Sequence, residues 1–149
     1  MKTLLKNRKA SFNFDLIKHY TAGIMLKGSE VKSLREGKGN IGDSYCYFKD
    51  DGLYLKSLYI PEYKPAGRNN HDPYRDRKLL LKKQELSSLK GKMEQKGMSV
   101  VPVKIILNDS HKIKVEVSLG KGKKNFDKRN RILDKQIDRE TKEKINSLK

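Results

Sequence analysis

The sequence predicts a mainly β domain with short α-helices, a closed antiparallel barrel of about six strands, followed by a disordered basic C-terminal tail. Three observations predict it. Apolar and polar residues alternate in several separate runs, the two-residue period of a strand with one buried face. Turn-forming clusters divide these runs and leave little room for parallel crossovers. The last run sets Ile113, Val115, Val117 and Leu119 against Lys112, Lys114, Glu116 and Ser118, then gives way to a charged stretch. That stretch cannot bury enough apolar surface to fold alone. Closing the barrel would remove the sheet edges that otherwise aggregate. The chain divides into a domain over residues 1–120 and a tail over 121–149.

Each element follows from its residues. Residues 1–10 are basic with little periodicity and read as a loosely ordered lead-in, with Asn7, Arg8 and Lys9 available to phosphates. Phe12, Phe14 and Leu16 alternate with polar neighbours, as in a strand, and residues 20–26 form a second extended run broken at Gly23. Ser29 has the chemistry of a helix N-cap, and Glu30 in the first turn suits the helix dipole. Val31 and Leu34 give this short helix one apolar side, and Gly37 ends it. Strands over 44–48 and 53–60 flank Lys49-Asp50-Asp51-Gly52, where Asp-Gly is a hairpin signal.

Residues 61–76 are rich in turn formers and read as a long functional or mobile loop. Leu79 to Leu81, then Leu86, Leu89 and Met93, recur at helical spacing and predict one or two helices between Leu81 and Gly97. Residues 99–107 alternate again, with Val101, Val103, Ile105 and Leu107 on one face. Asn108-Asp109-Ser110 turns the chain into the last strand.

Charge points to the partner. The 149 residues carry 35 Lys/Arg and 18 Asp/Glu, a net +17. Neutralising phosphates with such a surface releases counterions and drives binding, so nucleic acid is the leading partner. A membrane is the weaker reading: no apolar run approaches the roughly 20 residues of a spanning helix, and no secretory signal is evident. The single Cys46 excludes an internal disulfide and argues against structural zinc. In Tyr45-Cys46-Tyr47-Phe48 it reads as a small buried apolar residue, at home in a reducing cytoplasm.

Catalysis finds little support. His19, His71 and His111 are scattered without metal-ligand spacing. Glu30, Asp43, Asp72 and Asp76 could hold Mg²⁺ in a nuclease, but Glu30 fits a first-turn helix acid and Asp72-Pro73 a turn. No phosphate-cradling glycine motif is present, and no cofactor is expected.

The tail carries eleven Lys/Arg and five Asp/Glu, a net +6 over 121–149. Leu133, Ile137, Thr141 and Ile145 recur every four residues, and Asp138/Lys142, Arg139/Glu143 and Glu140/Lys144 are opposite charges at helical neighbours. The apolar stripe is narrow and the helix nucleus costly. The tail is therefore expected to be disordered when free and helical when laid against RNA or a ribosomal surface, the plainer reading being a solubilising or disordered tail.

Several strings occur together and in order. They are Asn7-Arg8-Lys9-Ala10; Ala22-Gly23-Ile24; Gly28-Ser29-Glu30-Val31-Lys32-Ser33-Leu34-Arg35 with Gly37-Lys38; Asp43-Ser44-Tyr45; Asp72-Pro73 through Arg75-Asp76-Arg77-Lys78-Leu79-Leu80-Leu81; and Gly120-Lys121-Gly122-Lys123-Lys124 with Asp127-Lys128-Arg129. With them the chain resembles the SsrA-binding protein family, small protein B, from residue 7 almost to the end. The resemblance implies a barrel of the oligonucleotide-binding type that binds the tRNA-like domain of transfer-messenger RNA. It implies delivery to stalled ribosomes in trans-translation, with the tail in the empty decoding site and messenger path and no chemical step of its own. It also implies a cytoplasmic monomer that meets elongation factor Tu through the RNA.

By the same resemblance, Asn7, Arg8, Lys9, Thr21, Lys38, Lys78, Leu80 and Lys82 face the tRNA-like domain. Lys121, Lys123, Lys124, Phe126, Asp127, Lys128, Arg129 and Arg139 face the ribosome. Leu80 is open between packing on RNA bases and filling the core. Three positions depart from the family. Thr21 stands where a glutamate is usual, Phe14 where a tyrosine is common, and Phe126 where some members carry histidine. A structural ribosomal protein or general RNA binder is the alternative, separable by stoichiometry and by salt washing.

Overall fold

The structure is a computed structural model, and it describes residues 1–49 and 52–123. In chain order the elements are β1 (Lys2–Lys6), α1 (Arg8–Asn13), β2 (Phe14–Ile24), α2 (Gly28–Arg35), β3 (Tyr45–Lys49) and β4 (Gly52–Lys56). A 3-10 segment (Lys64–Asn69), β5 (Arg77–Leu80), α3 (Lys83–Met93), β6 (Met98–Leu107) and β7 (Ile113–Gly122) follow. Among the described residues seven strands make one antiparallel sheet in the order β1-β6-β7-β2-β5-β4-β3. The sheet curls until β3 lies near β6. The two end strands, β1 and β3, share no ladder, so the expected closed barrel is not closed by hydrogen bonds among the described residues.

The inner face carries Tyr20 and Ala22 of β2, Leu53 and Leu55 of β4, Leu79 of β5 and Val115, Val117 and Leu119 of β7. Leu34 of α2 and Leu89 of α3 cover the same core. Each such aliphatic side chain contributes about 1.5–3 kcal/mol on burial. The alternation read in the last strand is therefore the core face of β7, which runs on to Gly122. Cys46 is buried in β3, and burial pushes its thiol pKa up.

Several expectations need correction. Residues 1–10 are not a loose lead-in: β1 pairs with β6 from Lys2↔Leu107 to Lys6↔Lys104. Its main-chain groups satisfy the β6 edge, and Leu4 and Leu5 pack on the core. Phe12 lies in α1, not in a strand, because Asn7 caps a helical turn there. Phe14–Ile24 is one continuous strand, and its register with β7 shifts between Leu16 and Lys18. The extra residue, Ile17, is 57% exposed.

A second shift, between Pro102 and Lys104, changes the parity of β6. Val100 and Ile105 consequently face the core, whereas the expected row placed Val101, Val103 and Leu107 there with Ile105. Residues 77–80 form β5, leaving one helix, α3, before Gly97. The N-cap of α2 is Lys27, and Ser29 sits inside the helix, where its hydroxyl meets His71.

The hairpin pairs Lys49 with Gly52, and residues 50 and 51 of the expected turn lie outside the described residues. So do the expected tail helix and Lys124, Phe126, Asp127, Lys128, Arg129 and Arg139. No described helix is long and apolar enough to cross a membrane.

Candidate nucleic-acid interface

Apart from Lys38, the predicted contact residues among those described separate into two groups toward opposite ends of β2. Nine residue steps along the strand lead from Phe14 to Gly23, roughly 30 Å at the usual rise.

The first group surrounds α1. Asn7 sits where β1 ends, with its amide donating to the Val103 carbonyl at 2.8 Å and its Nδ2 donating to the Pro102 carbonyl at 2.8 Å. Its Oδ1 accepts from the Lys9 amide at 3.2 Å, which caps α1. Asn7 is thus buried and plugs the β6 edge where β1 leaves it. Arg8 and Lys9 follow, both exposed. Lys9 Nζ reaches Asp43 Oδ1 at 3.0 Å across solvent, an ion pair worth little to stability. Asn7, Lys9, Asn13, Phe14, Asp43 and Ser44 line a small hollow of about 150 Å³.

The end of β7 returns to this group. Lys121 is exposed and lies opposite Asp15 on one side and Met98 on the other. The Lys123 amide donates to the Asn13 carbonyl at 3.0 Å, and its Nζ donates to the Ser11 carbonyl at 2.7 Å. The end of β7 is therefore held against the last turn of α1, the helix that Arg8 and Lys9 begin.

The second group lies on the outer face of β5 and β2. Leu79 points into the core and Leu80 out of it, 50% exposed, which removes the core reading of Leu80. Leu80 pairs with Gly23 across the ladder. A Cβ at Gly23 would lie 3.3 Å from the Leu80 Cβ and 3.6 Å from Lys114 Nζ, so glycine is what lets these side chains approach. Thr21 stands two residues along the same face, directly opposite Glu116 of β7. Glu116 holds His19 Nδ1 at 3.3 Å and Lys104 Nζ at 3.4 Å. A carboxylate thus stands beside the position where Thr21 departs from its expected pattern. Lys78 opposes Tyr54 on β4. Lys82 is exposed at the start of α3, its amide donating to Glu85 Oε1 at 3.3 Å. Lys82 and Lys83 add their charge to the positive end of that helix dipole. Lys38 is separate from both groups, paired with Glu36 at 3.1 Å after α2.

Behind the outer face lies a charged cluster that the sequence pattern leaves unassigned. Glu30 and Arg77 are both fully buried. Glu30 Oε1 accepts from the Lys27 amide at 2.8 Å and from Arg75 at 2.6 Å, and Oε2 accepts from Arg77 Nε. Arg77 also donates to the Leu58 carbonyl at 2.6 Å and to Pro73 at 3.2 Å. Burial pushes the Glu30 carboxyl pKa up, but the bonds from Arg75, Lys27 and Arg77 outweigh it and hold the group below its ordinary value. His71 Nε2 meets the Ile60 carbonyl at 2.8 Å, and Nδ1 meets Ser29 Oγ at 2.8 Å. Loop 61–76 is therefore fastened to α2 and β5. The run Asp-Pro-Tyr-Arg-Asp-Arg was visible in the sequence, but the burial of its second arginine was not.

Chemically, the arrangement offers exposed cations and one exposed leucine on a rigid sheet. Among the described residues, no three His, Cys, Asp or Glu side chains are placed to hold a metal ion.

The model of the family "SmpB protein" matches residues 4–147. The SsrA-binding protein of Rhizobium etli is 50% identical over 128 residues, covering 86% of this chain and 80% of that protein. The SsrA-binding protein of Persephonella marina is 43% identical over 144 residues, covering 97% and 94%. A solved structure described as "tmRNA-SmpB: a journey to the center of the bacterial ribosome" is 49% identical, covers 81% of this chain and 85% of its own, and superposes with a TM-score of 0.67.

Proposed function

We propose that this chain, which belongs to the SmpB protein family, binds transfer-messenger RNA and serves with it in rescuing stalled ribosomes by trans-translation. The observation that carries this reading is the family match over residues 4–147, nearly the whole chain. The net charge of +17 fits a polyanion partner.

Structured RNA is gripped through shape and backbone, while unpaired bases are read by stacking and apolar contact. We assign the tRNA-like domain to the outer face, with Leu80 packing on bases and Lys78, Lys82 and Thr21 beside it. Arg8 and Lys9, positioned by Asn7, take phosphates at the other end of β2, and Lys38 takes them separately. The family's barrel of the oligonucleotide-binding type is the scaffold on this reading.

Lys121, Lys123, Lys124, Phe126, Asp127, Lys128, Arg129 and Arg139 are assigned to the decoding site and messenger path. Elongation factor Tu meets the protein through the RNA. The protein acts as a cytoplasmic monomer and contributes binding and positioning, not a chemical step.

Gel-shift binding to transfer-messenger RNA and to ordinary tRNA, at two salt concentrations, tests the reading. A preference for transfer-messenger RNA that persists at higher salt supports it. Equal binding that collapses with salt overturns it.

A further inference from the structure

The β3–β4 hairpin carries an aromatic surface, with Tyr45 exposed and Tyr47 and Tyr54 half-buried, that adjoins the second group above only through Lys78, the ladder partner of Tyr54. Its ladder pairs Tyr47 with Tyr54 and Tyr45 with Lys56. These four side chains share the sheet face opposite Cys46, Leu53 and Leu55, which are buried in the core. The Tyr47 and Tyr54 rings stack, centroids 5.8 Å apart and planes at 27°. Tyr45 leans on Tyr47 at 6.5 Å and 51°. The Tyr47 hydroxyl donates to Asp76 Oδ2 at 3.0 Å, fixing the middle ring. Lys56 Nζ lies 5.9 Å from the Tyr47 ring and Lys49 Nζ 6.0 Å from the Tyr54 ring. Tyr45, at the edge of the stack, is 46% exposed.

Each feature suits a nucleotide. An aromatic ring held by its neighbours loses little entropy when a base stacks on it. The ammonium groups stand over the Tyr54 and Tyr47 rings, which puts positive charge on the same face as Tyr45 for the phosphates of a nucleotide stacked there. β3, β4 and β5 contain no Asp or Glu, and the Asp76 carboxylate beside the stack is taken up by the Tyr47 hydroxyl. A paired base keeps its faces inside the helix, so the nucleotide taken must be unpaired.

We propose that the outer face of the β3–β4 hairpin is a second RNA-contact site, which stacks an unpaired base on Tyr45 and holds the neighbouring phosphates with Lys49 and Lys56. The site rests on the RNA-binding reading above but lies on different strands from Leu80 and Lys9.

The test uses full-length protein and fluorescence anisotropy, with a short labelled oligoadenylate and an RNA duplex of equal phosphate count. Tyr45→Ala is expected to weaken oligoadenylate binding roughly 5- to 150-fold while changing duplex binding by less than about twofold. Tyr45→Phe keeps the ring and should bind as the wild type does. The Lys49→Ala/Lys56→Ala variant should lower the salt dependence of oligoadenylate binding by about 1.4 in log–log slope. It gives an independent readout should Tyr45→Ala fold poorly. Unchanged oligoadenylate binding in both variants overturns the site, and so does an equal loss on duplex and single strand. If Tyr45→Ala instead dissociates an RNA-free dimer, the face is a self-contact and the proposal fails. Preference for transfer-messenger RNA over tRNA is measured separately on the wild type, so either reading can fail alone.

Discussion

The guanidinium of Arg77 and the carboxylate of Glu30 meet in the interior, each wholly removed from solvent. One comes from β5 and the other from α2, so this contact fixes the strand that presents Leu80 against the helix beside it. Removing Arg77 leaves Glu30 Oε2 without its donor in a poorly polarisable interior, with only Oε1 still held by Arg75 and the Lys27 amide. Arg77→Met is expected to lower stability by about 3–5 kcal/mol, whereas Arg77→Met with Glu30→Gln should recover much of the loss. Urea unfolding of the three proteins checks this, and equal stability of single and double variants would contradict it.

Acid should act through the same pair. The folded-state pKa of Glu30 lies below its ordinary value of 4.5, with the arginines and the Lys27 amide overcoming burial. Its contribution is therefore fully present above the unfolded value and lost as pH falls through the lower folded value. Thermal melts at decreasing pH should show a drop beginning near pH 4.5 that is much reduced in Glu30→Gln. An identical drop in that variant would assign acid sensitivity to other carboxylates.

Two glycines after α2 should respond differently to alanine. Gly37 has φ +74 with open space where a Cβ would go, so Gly37→Ala should cost about 1 kcal/mol of backbone strain. Gly39 has φ +143, and its Cβ would stand 2.8 Å from the Tyr59 carbonyl oxygen. Gly39→Ala should cost roughly 2–3 kcal/mol or more. Melting temperatures in the reverse order would contradict the geometry of this turn.

Leu80 separates binding from folding. It is half exposed and contributes no side chain to the core. Leu80→Asp should weaken transfer-messenger RNA binding about tenfold, ~1.4 kcal/mol, and change stability by less than about 1 kcal/mol. Loss of both together would mean that Leu80 is structural.

The boundary of the tail can be set by truncation. Gly120 and Lys121 still pair with β2 and β6, and the Lys123 amide still bonds Asn13. A chain ending after Lys123 should keep its fold and most RNA binding but lose tagging of nascent chains. A chain ending after Leu119 should in addition be less stable by denaturant unfolding. Tagging by the shorter of the two would refute the role assigned to the tail.

Composition and local pattern were enough to settle the charge and hence the class of partner, the last strand, the helix around Leu34 and the β3–β4 hairpin. Those features rest on composition or on periods and turns within a few residues, where local sterics and the pleat suffice. Tertiary structure alone decided that Lys2–Lys6 is a strand, since its hydrogen bonds go to β6 about a hundred residues away. It also decided which way β6 faces, because a one-residue shift near Val103 exchanges its two sides. Leu80 could be read as core until β5 paired with β2 and turned it outward over Gly23. Glu30 could be read as a solvated first-turn acid until Arg75 and Arg77 arrived from the far side of loop 61–76. Ladder partners, bulges and buried counter-charges are contributed by distant segments, so no local window of sequence contains them.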